Sequence, residues 1–189
     1  MSRSVFPIVL AACAWLTACE SPAPSEPVDV QLAHVRGLSQ ASGGGQWLFS
    51  GVFPGKFSFT AQQISADGTA RGQLRSSLDV GGTLAEFHGE VTCLTVDLAE
   101  GRAWVGGVVT RNDSKLEPFA SEERFQPGQD IWFRVLDSGE GQSEPDRTTF
   151  TGFSGDAGFA TSLDYCAGMP WPDDNERTHP VTAGNIQVK

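Results

Sequence analysis

Gly89-Glu90-Val91-Thr92-Cys93-Leu94-Thr95-Val96-Asp97-Leu98-Ala99-Glu100-Gly101-Arg102-Ala103-Trp104-Val105-Gly106-Gly107-Val108-Val109 is the stretch whose reading decides the fold. It is rich in β-branched residues and is broken once, at Ala99-Glu100-Gly101. That pattern predicts two long strands joined by a short turn. A pair of this length belongs at the centre of an antiparallel sheet or barrel. Gly106-Gly107 reads as a bend or close-packing point in a curved sheet.

Working outward, residues 84–97 form the longest predicted strand and residues 102–110 its partner. In the first of these, Leu84, Glu86, His88 and Glu90 share one face, and Phe87, Gly89, Val91 and Cys93 the other. Upstream, residues 70–79 alternate, and Val80-Gly81-Gly82-Thr83 turns them back into the long strand. Before that, Trp47, Phe49, Gly51 and Phe53 make one strand and Phe57, Phe59 and Ala61 another, with Pro54-Gly55 and then Asp67-Gly68 as turns. Downstream, residues 130–137, 147–153 and 184–188 read as strands. Residues 114–125 are the best helical stretch, weakened by Pro118. The expectation is an all-β domain, an antiparallel meander of about eight strands. Pairing the last strand with the first removes open edges, so a small β-barrel is preferred, with a β-sandwich as the alternative.

The amino terminus carries an address. One arginine, Arg3, precedes an apolar run from Val5 to about Leu16. The run falls short of the roughly 20 residues a transmembrane helix needs and has the length of a signal-peptide core. Leu16-Thr17-Ala18-Cys19 resembles the lipobox of bacterial lipoproteins. The resemblance implies cleavage after residue 18, diacylglycerol on the Cys19 sulfur and anchoring in the cell membrane or outer membrane by several acyl chains. Glu20 leaves the outer membrane open as a destination. Residues 19–44 follow as a lipid-anchored tether: three prolines in Glu20–Pro27 forbid a helix, and the end is rich in Ser and Gly. Val28, Val30 and Leu32 alternate and could add a short edge strand, while His34 reads as solvated. The single domain is expected over residues 45–189.

Two cysteines remain beside Cys19 once the signal is gone, Cys93 and Cys166. An exported chain predicts one disulfide between them. Closing a loop of about 74 residues is worth roughly 4 kcal/mol in the chain-entropy account. Residues 89–96, 103–109 and 184–188 resemble an uncharacterised group of secreted bacterial β-proteins. That resemblance covers 45–189 and implies an all-β fold, with no activity and no site. Gly45-Gln46-Trp47 is similar to the Gly-x-Trp that opens lipocalin barrels, a three-residue match without the accompanying carboxy-terminal helix.

Formal net charge is −10, and removal of Arg3 with the signal leaves the chain more acidic still. Such a chain repels phosphate backbones and anionic headgroups, so nucleic acid is excluded as a partner and membrane contact rests on the lipid. His34, His88 and His179 stand apart without metal-site spacing, so no metal and no cofactor are expected. Gly152-Phe153-Ser154-Gly155-Asp156 lacks the last glycine of a nucleophile elbow, which makes Ser154 a turn residue. Asp137, Glu140, Glu144 and Asp146 sit within ten residues and read as a solvated acidic turn, as do Asp173, Asp174 and Glu176. Asn112-Asp113-Ser114 matches a glycosylation sequon in form only.

The most suggestive polar group lies on the third and fourth predicted strands. A regular hairpin over 80–83 puts Arg75 opposite His88 and Asp79 opposite Leu84. Arg75, Glu86 and His88 are therefore the candidate ligand-binding residues, on a face that is either the solvent side or a barrel interior. The functional expectation is a lipid-anchored envelope protein whose β-domain binds a small molecule or a protein without catalysing a reaction. The alternatives are a barrel-site enzyme (cyclase, isomerase or hydrolase) and a structural envelope protein.

Overall fold

The computed structural model describes residues 38–172 and 177–189. The expected signal, Cys19, most of the expected tether, His34, and the acidic Asp173, Asp174 and Glu176 lie outside the described residues. Nine strands form among the described residues: β1 Gln40–Phe49, β2 Phe53–Gln63, β3 Ala70–Val80, β4 Thr83–Asp97, β5 Arg102–Asn112, β6 Asp130–Leu136, β7 Arg147–Thr148, β8 Gly152–Phe153 and β9 His179–Val188. Among the same residues there are one α-helix, α1 Ser162–Gly168, and two 3-10 turns. β1 to β6 run as an antiparallel meander, β9 pairs with β1, and β7 links β9 back to β6. The result is a closed eight-stranded antiparallel barrel with one extra strand, β8. The sandwich alternative falls, because the β1–β9 and β6–β7–β9 pairings leave no break between two sheets.

Several expected boundaries move for local reasons. β1 begins at Gln40, so residues 40–44, expected in the tether, are barrel wall. The turn between β1 and β2 is at Ser50 and Gly51, both with positive φ, and Pro54-Gly55 lies inside β2. Pro54 is tolerated because β3 begins pairing only at Gly55, where no proline is in the way. Gly55 is required by packing: a Cβ there would stand 2.3 Å from Cε2 of the buried Trp47. The Gly81-Gly82 hairpin forms as expected, with Val80 opposite Thr83. Residues 114–125 form turns and a 3-10 turn at Glu123–Phe125 in place of an α-helix.

Cys93 does not share the inner face of β4. The β4–β5 register slips between Val91 and Cys93. An extra residue in a strand transfers everything after it to the opposite face. Leu94 takes the inner position beside Val91, and Cys93 turns outward. There it meets α1 and forms the disulfide with Cys166, with Cα atoms 6.3 Å apart. Gly106, opposite Cys93, lets the helix approach: a Cβ would lie 2.6 Å from Cys93 Sγ and 2.9 Å from Ser162 Cβ. The helix itself starts at Thr161, whose side chain accepts the Asp164 N–H at 3.1 Å.

The barrel interior is filled. Phe59, Leu74, Phe87, Val91, Val105, Ile131, Phe133 and Phe153 are buried in one cluster. Phe87 and Phe153 have ring centroids 4.8 Å apart, and Phe125 stands 4.7 Å from Phe153. Phe119 and Phe125 come from the β5–β6 connection, which folds over one end of the barrel and plugs it. At about 25 cal/mol per Å² of apolar surface, each such ring is worth a few kcal/mol of burial.

The last seam of the barrel is closed partly by side chains. β7 offers β9 only two residue pairs. Beyond them, Asp146 Oδ2 accepts the N–H of buried Ile186 at 2.7 Å, and Asp137 Oδ2 accepts that of Val188 at 2.9 Å. Two members of the expected solvated acidic turn therefore act in place of a missing strand.

Candidate functional site

The register β3–β4 places Arg75 opposite His88 and Asp79 opposite Leu84, as the hairpin geometry predicts. Glu86 and His88 project outward, between the inward Ala85, Phe87 and Gly89. Arg75 Nε lies 2.9 Å from Glu86 Oε1, and His88 Nε2 lies 3.2 Å from the same oxygen. β5 and the residue just after it bring in two side chains that the sequence reading did not include. His88 pairs with Arg111 in the register, and Arg111 Nη2 stands 2.7 Å from His88 Nε2. Asp113 Oδ2 lies 2.7 Å from Arg111 Nε and 3.4 Å from His88 Nε2. Glu86, His88 and Asp113 offer three donor atoms within 4.8 Å of one another, a spacing compatible with a metal ion. Each carboxylate is already neutralised by an arginine, so the cluster is a closed ionic lattice on the outer wall. Partly exposed pairs of this kind contribute about 0–1 kcal/mol each.

A second site is assembled where the seam opens. Residues 147–153, expected as one strand, pair with β6 at both ends only. Beyond Thr148 the segment leaves β9, and a cleft of about 430 Å³ forms. It lies between residues 149–152, the amino-terminal end of β9 and α1. Phe49, Phe150 and Trp132 supply apolar walls, and Arg134, Arg177, Tyr165, Thr149, Thr151 and His179 the polar groups. Mixed lining of this kind is what small-molecule sites use.

Each polar group is held by its element. Trp132 and Arg134 stand on the outer face of β6, which is buried on both faces because α1 covers it. The Tyr165 ring stacks on Trp132 at 5.4 Å between centroids. Burial pushes the Tyr165 hydroxyl up to about 12, against a smaller opposing pull from Arg134, so it is a proton donor at neutral pH. Thr149 Oγ1 accepts the Arg134 backbone N–H at 3.2 Å, fixing its rotamer. Thr151 is 7% exposed, and its hydroxyl has no hydrogen-bond partner. A buried hydroxyl left in that state costs about 1–3 kcal/mol. His179 stacks on Trp47 at 4.7 Å, and burial with the nearby Arg147 charge holds its pKa below the ordinary value. Asp156 is the one carboxylate lining the cleft among the described residues, and both its oxygens are engaged. Oδ1 lies 3.1 Å from Arg124 Nη1, and Oδ2 accepts the Phe153 N–H at 2.9 Å.

The remaining sequence candidates are structural where they are described. Ser154 Oγ donates to the Ala160 carbonyl at 2.9 Å. Asn112 Nδ2 donates to the carbonyls of Phe119 and Phe125, which pins the barrel plug. No protein-family model, curated protein or solved structure matches the chain.

Nothing in the sequence reading pointed to the cleft, although two signals bear on it. Ile131-Trp132-Phe133-Arg134-Val135-Leu136 is apolar on both strand faces, which marks a strand covered on both sides. Its lone charge, Arg134, is then a buried cation. Thr161-x-x-Asp164 is a helix-start signature just before the sole tyrosine and Cys166.

Proposed function

We propose that the chain is a lipid-anchored protein of the bacterial cell envelope, whose β-domain is a non-enzymatic binding module for a small molecule. The ligand enters the seam cleft. One observation carries this reading: the barrel interior is filled by aromatic rings, while the cleft in its wall gathers polar groups that include the unpartnered Thr151 hydroxyl. Binding is favoured over acid–base chemistry because both oxygens of Asp156 are already committed. The lipobox-like Leu16–Cys19 supports the anchor, and the Cys93–Cys166 disulfide is in keeping with an oxidising compartment outside the cytosol.

Two experiments test it. Labelled fatty acid should be incorporated by the wild-type chain and lost on Cys19→Ser; persistent labelling rejects the anchor. Native mass spectrometry of protein isolated from envelopes should show a small organic adduct released on unfolding. A protein that carries no adduct, and takes up none from cell extract, rejects the small-molecule reading. A protein partner is the second reading, favoured by exposed Leu48, Phe49 and Val52 at the β1–β2 tip. Crosslinking from position 52 in intact cells separates the two.

A further inference from the structure

The end of the barrel opposite Gln40 carries an apolar rim. β1 and β2 turn over at Ser50-Gly51, and β3 and β4 at Gly81-Gly82. β2 and β3 pair from Gly55 and Leu78 onward, so the two turns lie side by side. Leu48, Phe49 and Val52 are exposed on the first tip and Leu84 on the second, and Val52 is 68% exposed. A Cβ at Gly51, Gly81 or Gly82 would meet nothing within 4 Å, so both tips stand clear of the rest of the molecule. Single exposed apolar side chains carry no message, but four gathered on two adjoining tips mark a contact surface.

The chemistry of the rim fits lipid better than protein. Leu48 to Pro54 and Val80 to Ala85 contain no charged residue, in a chain that is 19% charged. The turns also satisfy their own donors. The Val52 N–H donates to the Phe49 carbonyl at 3.1 Å, and the Gly82 N–H to Asp79 Oδ1 at 2.6 Å. Lipid offers backbone groups no partner, so internal satisfaction is the condition for entering it. A protein interface instead rings its apolar centre with groups that bond the partner. Lys56 and Lys115, two of the three lysines, stand just behind the tips. Lys56 follows Pro54 on the same face of β2, and Lys115 donates its N–H to the Leu84 carbonyl at 2.7 Å. Both are exposed and in no ion pair among the described residues. Lysines so placed lay their stems on apolar surface and reach headgroups with the charge. Glu117, Glu122 and Glu123 belong to the β5–β6 connection, so the rim occupies the β1–β4 side of this end.

The anchor can reach. The ten residues of β1 put the tip roughly 30 Å from Gln40. The chain from Cys19 to Gln40 spans at most roughly 70 Å. We propose that this rim dips into the bilayer that holds the acyl chains, with Leu48, Phe49, Val52 and Leu84 in the interface and Lys56 and Lys115 among the headgroups. The proposal rests on the lipid-anchored reading and adds the surface by which the domain meets the membrane. Phe49 also lines the seam cleft, so docking brings the mouth of the cleft to the lipid surface.

The test places an environment-sensitive fluorophore on the mature acylated protein, at the rim through Val52→Cys and at the opposite end through Ala99→Cys. Either position is then the only free thiol, since Cys93 and Cys166 are joined and Cys19 carries lipid. In uncharged phosphatidylcholine vesicles the Val52→Cys label should shift to the blue and be quenched by aqueous iodide at least about threefold less than the Ala99→Cys label. Adding Leu48→Asp, or Leu48→Ser if the melting temperature falls, should restore the quenching. Equal quenching at the two positions overturns the proposal, whether both are shielded or neither is. Shielding that survives the Leu48 substitution overturns it too, because the apolar rim then does not carry the contact. Shielding at position 52 in native envelopes but not in lipid vesicles replaces the bilayer with a protein partner. Fatty-acid labelling judges the anchor separately, so failure here leaves the anchor standing.

Discussion

Asp146→Ala should unfasten the last seam of the barrel. Asp146 Oδ2 accepts the Ile186 N–H at 2.7 Å, and Oδ1 accepts the Ser138 N–H at 3.0 Å. Ile186 is fully buried, so its N–H has no water to turn to when the carboxylate goes. A hydrogen bond to a charged acceptor is worth about 1.5–3 kcal/mol, and the Ile186 bond belongs near the upper end. Ser138 is only half-buried and regains solvent, so its share is small. The expected cost is about 3 kcal/mol, which lowers the melting temperature of a domain this size by roughly 6–12 °C. Asp146→Asn keeps one acceptor oxygen and should fall between wild type and alanine. The assay is urea unfolding combined with amide hydrogen exchange. The Ile186 and Val188 amides should lose protection while those of the β4–β5 pair keep it. A change below about 0.5 kcal/mol, the scatter of neutral surface substitutions, would refute the seam argument. So would unchanged protection at Ile186.

Breaking the Cys93–Cys166 link, whose cysteines are 73 residues apart, should cost about 4 kcal/mol within a practical range of 2–5; an unfolding midpoint indifferent to reductant contradicts this. Gly55→Ala forces a Cβ against the Trp47 indole and should destabilise by about 1–3 kcal/mol while shifting tryptophan emission; wild-type stability and emission would mean the contact is not close. Tyr165 is the only tyrosine, so phenolate absorbance reports it alone, and it should stay protonated above its ordinary value of 10.0 until near 12 or until the chain unfolds. Titration near 10.0 in the folded protein contradicts its burial. His179 resists protonation in the folded state, so the unfolded chain binds more protons as pH drops below the ordinary value of 6.5, and stability falls there. His179→Phe keeps a ring on Trp47 and should flatten that slope between neutral and acidic pH; an unaltered slope places the titration elsewhere.

The barrel was legible in the sequence wherever one face of a strand met solvent. β3 and the first half of β4 alternate cleanly about Gly81-Gly82, so the register of that hairpin could be read to the residue pair, and Asp67-Gly68 marked the turn before it. Legibility failed where two elements compete for one strand. The slip at Val91–Cys93 reverses the face of everything after it, and no alternation rule contains an extra residue. Pro54-Gly55 has the composition of a turn, yet Gly55 is there because Trp47 lies over it. Residues 40–44 look like linker because glycines build a wall that β9 and β2 approach closely. Of the polar cluster, Arg75, Glu86 and His88 were found because they share one hairpin. Arg111 and Asp113 were not, since reaching them requires the β4–β5 register across a slip between His88 and Gly89. The cleft was invisible for a stronger reason: its lining comes from β1, β6, the 149–152 segment, α1 and β9, which meet only when the barrel closes.

The binding site proposed here lies in the wall of the barrel and not inside it. The decisive measurement is amide chemical-shift mapping of the full-length protein saturated with the small molecule that co-purifies with it. Perturbations should concentrate at residues 149–152, Tyr165 and His179, with the Trp132 indole N–H among them. Perturbations centred on Phe59, Leu74, Phe87 and Phe133 would place the ligand in the interior and contradict it.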